Sequence, residues 1–279
     1  MKTDSRTMRS THATTAAALL VLSAFACAAL AAPAKRTAAH GGVTLTYDSS
    51  LAAEARGETV PAAPLESADE KPDGVYPEHV AFTLVGRTVA PRDSFGEPVV
   101  RVCPVAEYLK AFSVSPDYVR DARRTLDELR RLIRRPPAAL NGNVPTLPFP
   151  DSTEIFHAHV KRLRFRGGSG IAFLTQSQQD NELINNQHVT YEFRGLTDDG
   201  RFYVTATFPV GAPVLAATRD AASHDGYSVP DLPGGRRAAR RYAAYVERVR
   251  LKLERLRPER FDPDLSLYDE LLSSIEIRK

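Results

Sequence analysis

The chain has no tryptophan, only two cysteines and only two methionines among its 279 residues. Both methionines fall in the first eight positions, and the cysteines stand at 27 and 103. Two thiols so far apart exclude a disulfide-stapled miniprotein. Long apolar runs are equally scarce. One uncharged stretch runs from Thr14 to Ala32 and nothing comparable follows it, which excludes a polytopic bundle of membrane helices. Collagen-like periodicity and the composition of a disordered tail are absent too. There is no His-Glu-x-x-His pair, phosphate-binding loop or dinucleotide fingerprint.

What is present is an ordinary globular composition, 43% hydrophobic and 25% charged, behind an unusual start. Lys2, Arg6 and Arg9 precede an Ala/Leu-rich core from Ala16 to Ala26, and Ala29-Leu30-Ala31 is a small-x-small cleavage site. This order reads as a secretory signal peptide, residues 1–31. The alternative, a membrane anchor, needs about 20 strongly apolar residues. Cys27, after Ser23-Ala24-Phe25-Ala26, loosely resembles the cysteine of a bacterial lipobox. Its lipidation would tether the protein through acyl chains; otherwise Cys27 is one more apolar residue of the leader. The expected location is therefore exported: periplasmic, cell-envelope or extracellular.

The leader also explains most of the apparent basicity. It holds three of the 37 Lys and Arg and one of the 34 Asp and Glu, so the net charge falls from +3 to +1 once it is removed. A nearly neutral chain loses the main argument for a nucleic-acid partner.

Residues 32–41 are small and polar, a flexible lead-in to one domain spanning 42–279. Val43, Leu45 and Tyr47 alternate as a strand, and Asp48 predicts the cap of a short helix over 49–55. Further strands are predicted over 79–85 and 99–103. Ser115-Pro116 opens a long helix with one apolar face of Val119, Ala122, Leu126, Leu129, Leu132 and Ile133, which Pro136-Pro137 stops; a second, striped by Tyr242, Val246, Val249, Leu253 and Leu256, runs from about 236 to 256. Between them lies a four-stranded antiparallel meander. Its first strand carries Phe156, Ala158 and Val160, then Leu163 and Phe165 in the opposite phase, which predicts a β-bulge near Lys161-Arg162. Gly168-Ser169-Gly170 is expected to be the turn into the second strand, 171–176. The third and fourth, 189–195 and 202–210, flank a turn at Asp198-Asp199-Gly200. A short helix to Leu272 and a strand from Ser274 to Arg278 close the chain. Adjacent antiparallel strands with segregated helices make the fold class α+β.

The meander, with its Gly168-Ser169-Gly170, Phe173-Leu174-Thr175-Gln176, Ile184-Asn185-Asn186-Gln187 and Gly195-to-Gly200 segments, resembles a group of uncharacterised exported bacterial proteins, several of them lipoprotein-like. The resemblance extends to the opening Gly42–Asp48 stretch, and the group carries no activity to transfer. The two ends, Gly-Val-Thr-Leu-Thr-Tyr and Ser-Ser-Ile-Glu-Ile, resemble those of PsbP-type domains. That second resemblance implies an α/β/α sandwich around an antiparallel sheet and a non-enzymatic accessory role.

Candidate sites are few. The amide-dense segment from Gln176 to Gln187 offers paired donors and acceptors for a polar ligand, through Gln176, Gln178, Asn185, Asn186 and Gln187. The same side chains also suit a loop that closes its own turns. His157 and His159 on one strand face could be half of a metal site, with His79, His188 or Cys103 approaching in space, or simply two polar residues on the solvated side of the strand; no metal or cofactor is expected. Cys103 reads as a buried thiol. Nine cations from Arg236 to Arg257 suit either an anionic surface or a solvated helix face. The expectation is a non-enzymatic, envelope-associated binding or accessory module, whose partner is an envelope component or an anionic surface, with membrane contact only if Cys27 is lipidated. The alternative is an exported hydrolase assembled from distant residues, involving Cys103, Ser169 or the histidine pair.

Overall fold

In the computed structural model, which describes residues 34–86, 98–136, 140, 142–228 and 235–278, the alternation of Val43, Leu45 and Tyr47 forms half of a hairpin. β1 (Lys35–His40) and β2 (Val43–Asp48) pair along their whole length. They turn at Gly41-Gly42, whose φ of 53° and 79° suit a two-residue loop that follows the strand twist. Residues 35–40 are therefore sheet and not the expected lead-in: β2 satisfies their backbone, which polarity alone does not reveal. The leader and Cys27 lie outside the described residues.

The helix expected over 49–55 is instead a turn that leads into a strand. Asp48 Oδ1 accepts from Ser50 N at 2.8 Å and closes a turn, and the chain then extends as β3 (Glu54–Val60) beside β4 (His79–Val85). β5 (Val99–Pro104) runs directly into α1 (Val105–Ala111), a helix that the sequence reading missed, and α2 (Pro116–Arg134) follows. Ser115 caps α2, its hydroxyl accepting from Tyr118 N at 3.4 Å. The next elements are β6 (Thr153–Glu154), β7 (Ala158–Phe165), β8 (Gly168–Thr175), β9 (Ser177–Gln178), β10 (Thr190–Thr197) and β11 (Phe202–Pro209). β12 (Ser223–His224), β13 (Tyr227–Ser228), α3 (Arg236–Glu254), α4 (Leu265–Ser273) and β14 (Glu276–Ile277) complete the described fold.

The strands build a seven-stranded sheet in the order β3-β4-β5-β11-β10-β8-β7, antiparallel at every pairing. The fold is α+β, and the predicted meander is the β7-β8-β10-β11 half of this sheet. The terminal strands form a separate sheet, β1-β2-β14. Alternation divides each strand between two cores. Ile171, Phe173, Leu196 and Tyr203 face α1 and α2. Ala172, Leu174, Tyr191, Phe193, Val204 and Phe208 face α3, α4 and the small sheet.

Gly168-Ser169-Gly170 is strand rather than turn; the turn is at Gly167, with φ 81°. A Cβ on Gly170 would lie 2.5 Å from the Phe193 ring and from Arg194 O. Glycine is required here by close packing. The bulge exists, but between Ala158 and Lys161, where His159 has φ 51°.

Candidate functional site

The β-bulge and α3 together shape a cleft of about 960 Å³. One wall is the segment leading into β7, with Ile155, Phe156 and Val160. The other is the α3 stripe Tyr242, Val246, Arg250 and Glu254, set four residues apart and so on one helix face. Apolar walls with a few fixed polar groups are the usual make-up of a ligand pocket.

The cleft's polar end is a buried network. Glu154 Oε2 accepts from His157 Nε2 at 2.9 Å and from Val144 N at 2.7 Å. Its Oε1 accepts from Arg194, whose guanidinium also donates to Val144 O and lies 5.1 Å from the Phe173 ring centroid. Asn143 Oδ1 accepts from Glu154 N at 2.8 Å. Burial opposes the charge on Glu154, but the His157 bond, the Arg194 charge and the Val144 N–H outweigh it and hold the carboxyl below its ordinary range. Glu192, half-buried on β10, goes the other way. Burial pushes it up and the Glu154 charge adds to this, against Arg194 and the hydroxyls of Thr190 and Thr207. One arginine thus stands between two carboxyls of opposite tendency.

On the α3 side, Glu247 holds Arg250 through two bonds of 2.7 Å. Glu254 accepts from His159 N at 2.8 Å. The Tyr242 hydroxyl donates to Glu182 O at 2.9 Å and accepts from Gln178 Nε2. The cleft's polar groups are therefore held in place before any ligand arrives.

Gln176 and Asn185 are fully buried and bond within their own loop. Gln176 Oε1 accepts from Asn185 N at 3.1 Å, and its amide donates to Leu183 O at 3.2 Å. Asn185 Oδ1 accepts from Gln187 N and His188 N. Asn186 and Gln187 accept from the backbone N–H groups of Ala212 and Arg219. These bonds are the loop-closing use of amides. Of the five, only Gln178 reaches the cleft lining, through Tyr242.

His157 and His159 do not share a face. His157 packs on Phe173 and His159, inside the bulge, packs on Phe261, each ring pair 5.2 Å apart, and His159 Nε2 donates to Leu253 O at 2.9 Å. His79 lies on β4, near the opposite edge of the sheet, and His188 meets Glu182 at 2.9 Å. Among the described residues no three His, Cys, Asp or Glu side chains group as metal ligands. Cys103 is 1% exposed, and burial pushes its thiol up to about 12. The Ser169 hydroxyl accepts from Arg162 at 3.3 Å.

Glu154, Arg194 and the α3 wall were not singled out from sequence. Val160 and the Tyr242/Val246 stripe were visible as apolar periodicity, but nothing in the sequence pairs Glu154 with an arginine forty residues away. Among the described residues no helix is long and apolar enough to cross a membrane. Searches of protein-family models, curated proteins and solved structures returned no match.

Proposed function

We propose that the protein is an exported, non-enzymatic, envelope-associated binding or accessory module, and that its ligand, an envelope component, occupies the cleft between β7 and α3. The observation that carries this reading is the pre-fixed cleft: apolar walls around a polar end whose groups already have partners. Pre-organisation favours binding because little ordering remains to be paid on association. A hydrolase needs an activated nucleophile. Cys103 and Ser169 offer little toward one: burial pushes the Cys103 thiol up to about 12, and the Ser169 hydroxyl meets an arginine.

The test combines location with occupancy. Expressing cells are fractionated and the recovered chain is weighed intact, then examined by native mass spectrometry beside Val246→Trp, which fills the cleft. The expected result is an envelope or extracellular chain lacking residues 1–31, or lipidated at Cys27, that carries an added mass lost in Val246→Trp. A full-length cytoplasmic chain overturns export. Turnover of ester, amide or glycoside substrates that the cleft-filling change abolishes overturns the non-enzymatic assignment.

A further inference from the structure

We propose that the first two turns of α3 adsorb to an anionic phospholipid surface, through the guanidinium groups of Arg236, Arg237, Arg240 and Arg241. All four side chains are exposed. Among the described residues no carboxylate forms an ion pair with any of them, and the first turn of α3 contains no acid. The rest of the helix is different. Arg248 and Lys252 both meet Asp225, and Arg250 is held by Glu247. α2 is equally rich in arginine, yet Arg120, Arg124, Arg130 and Arg131 each pair with an acid three residues earlier. Among the described residues, four of the six arginines of α2 and the later cations of α3 have acidic partners, whereas the four at the start of α3 have none.

This placement opposes the helix itself. The N-terminal end of a helix carries partial positive charge and favours anions, so four cations there are unfavourable until an external anion arrives. At about 100° per residue the four fall within an arc of about 140°, opposite the buried stripe of Tyr242, Val249 and Leu253. Exposed Ala239, Ala243 and Ala244 beside them keep the surface low, so the long arginines can reach a flat plane together. Guanidinium groups match phosphate oxygens in a bidentate fork. The only large apolar side chains exposed among the described residues are Val114 and Leu251, and neither lies in these two turns. Nothing there would insert into the acyl region, so adsorption is electrostatic and weakens with salt. The charge and its spread over one exposed helix face together fit phospholipid headgroups in a plane. The cleft takes no part, so failure here leaves the proposed cleft ligand untouched.

The experiment is vesicle sedimentation of the full chain, with phosphatidylcholine vesicles compared against phosphatidylcholine containing phosphatidylglycerol. The chain is compared with a variant carrying Arg236→Gln, Arg237→Gln, Arg240→Gln and Arg241→Gln, and with a control of equal charge loss on α2: Arg120→Gln, Arg123→Gln, Arg124→Gln and Arg134→Gln. Each basic residue near an anionic membrane contributes roughly fivefold in affinity. The α3 variant is therefore expected to lose about 100-fold or more on phosphatidylglycerol vesicles, and the α2 control only a few-fold. Four Arg→Lys changes on α3 keep the charge but lose the bidentate fork, so they are expected to bind less than the full chain and well above the Gln variant. Three outcomes overturn the proposal: no sedimentation of the full chain, sedimentation unchanged by the α3 variant, or equal loss in the α2 control. Retention on soluble polyphosphate without vesicle binding also overturns it, in favour of a polymer partner.

Discussion

Arg194 is a buried cation whose loss strands a buried carboxylate. It is 7% exposed, and it neutralises Glu154 while bonding the backbone at Val144. Arg194→Met leaves a buried carboxylate without its counter-charge, a change that costs about 3–5 kcal/mol. Adding Glu154→Gln to that variant is expected to recover part of the loss, because Gln removes the stranded charge and its carbonyl still accepts from Val144 N. Urea unfolding of the two single variants and the double variant measures the coupling. The pH dependence has a defined sign. Glu154 titrates lower in the folded state, so its contribution is present above the unfolded value, roughly 4.3, and is lost as pH falls through the folded value. Wild type and Glu154→Gln should therefore converge in stability under acid. Glu192 is raised, so it subtracts stability as pH rises above roughly 4.3. Glu192→Gln should gain on wild type in that direction.

At the scale of elements, β8 depends on having no side chain at Gly170. A Cβ 2.5 Å from Arg194 O and from the Phe193 ring meets backbone on one side and a fully buried aromatic on the other, so neither yields. Gly170→Ala is expected to cost about 1–3 kcal/mol, as overpacking does, whereas an ordinary strand Gly→Ala is neutral or stabilising. Thermal unfolding decides between the two signs. The same residue shows how far the sequence could be read. Elements carried by periodicity were legible: the Val119-to-Ile133 stripe predicted α2, the Tyr242-to-Leu253 stripe predicted α3, and alternation found the meander. Elements decided by a distant partner were not. Gly168 and Gly170 look like turn residues until Phe165 and Phe193 are laid across them. Residues 35–40 look like a linker until β2 pairs with them. The candidate site was less legible than the fold. Its apolar walls follow helical and strand spacing, but its polar end joins residues 143, 154, 157 and 194, which no local pattern relates. Of the dense amides around Gln176, Gln176 and Asn185 close their own loop, while Asn186, Gln187 and Gln178 tie it to Ala212, Arg219 and Tyr242.

At the scale of the whole molecule, the last residues tie the two sheets together. β14 pairs with β2, while Arg166 N, at the β7–β8 turn, donates to Ile275 O at 3.1 Å and Arg278 N donates to Gly42 O at 2.8 Å. Ser274 Oγ accepts from Thr46 N at 2.7 Å and donates to Thr46 O at 3.0 Å. Ile275, fully buried, fills the core between the large sheet and the small one. A chain ending at Ser273 loses this side chain, worth about 2–5 kcal/mol when a buried aliphatic is removed. It also exposes the edge of β2, where Val43 and Leu45 are buried. At 2–4 °C per kcal/mol for a domain of this size, melting should fall by roughly 10 °C, and the exposed edge strand should promote aggregation. Ile275→Val keeps the ladder and removes one methylene, so it should cost only about 1 kcal/mol. If the truncated chain melts like Ile275→Val, the terminal strand is ornamental and the two sheets hold together without it. If it melts far lower, the closing strand is the clasp that keeps the small sheet over the core.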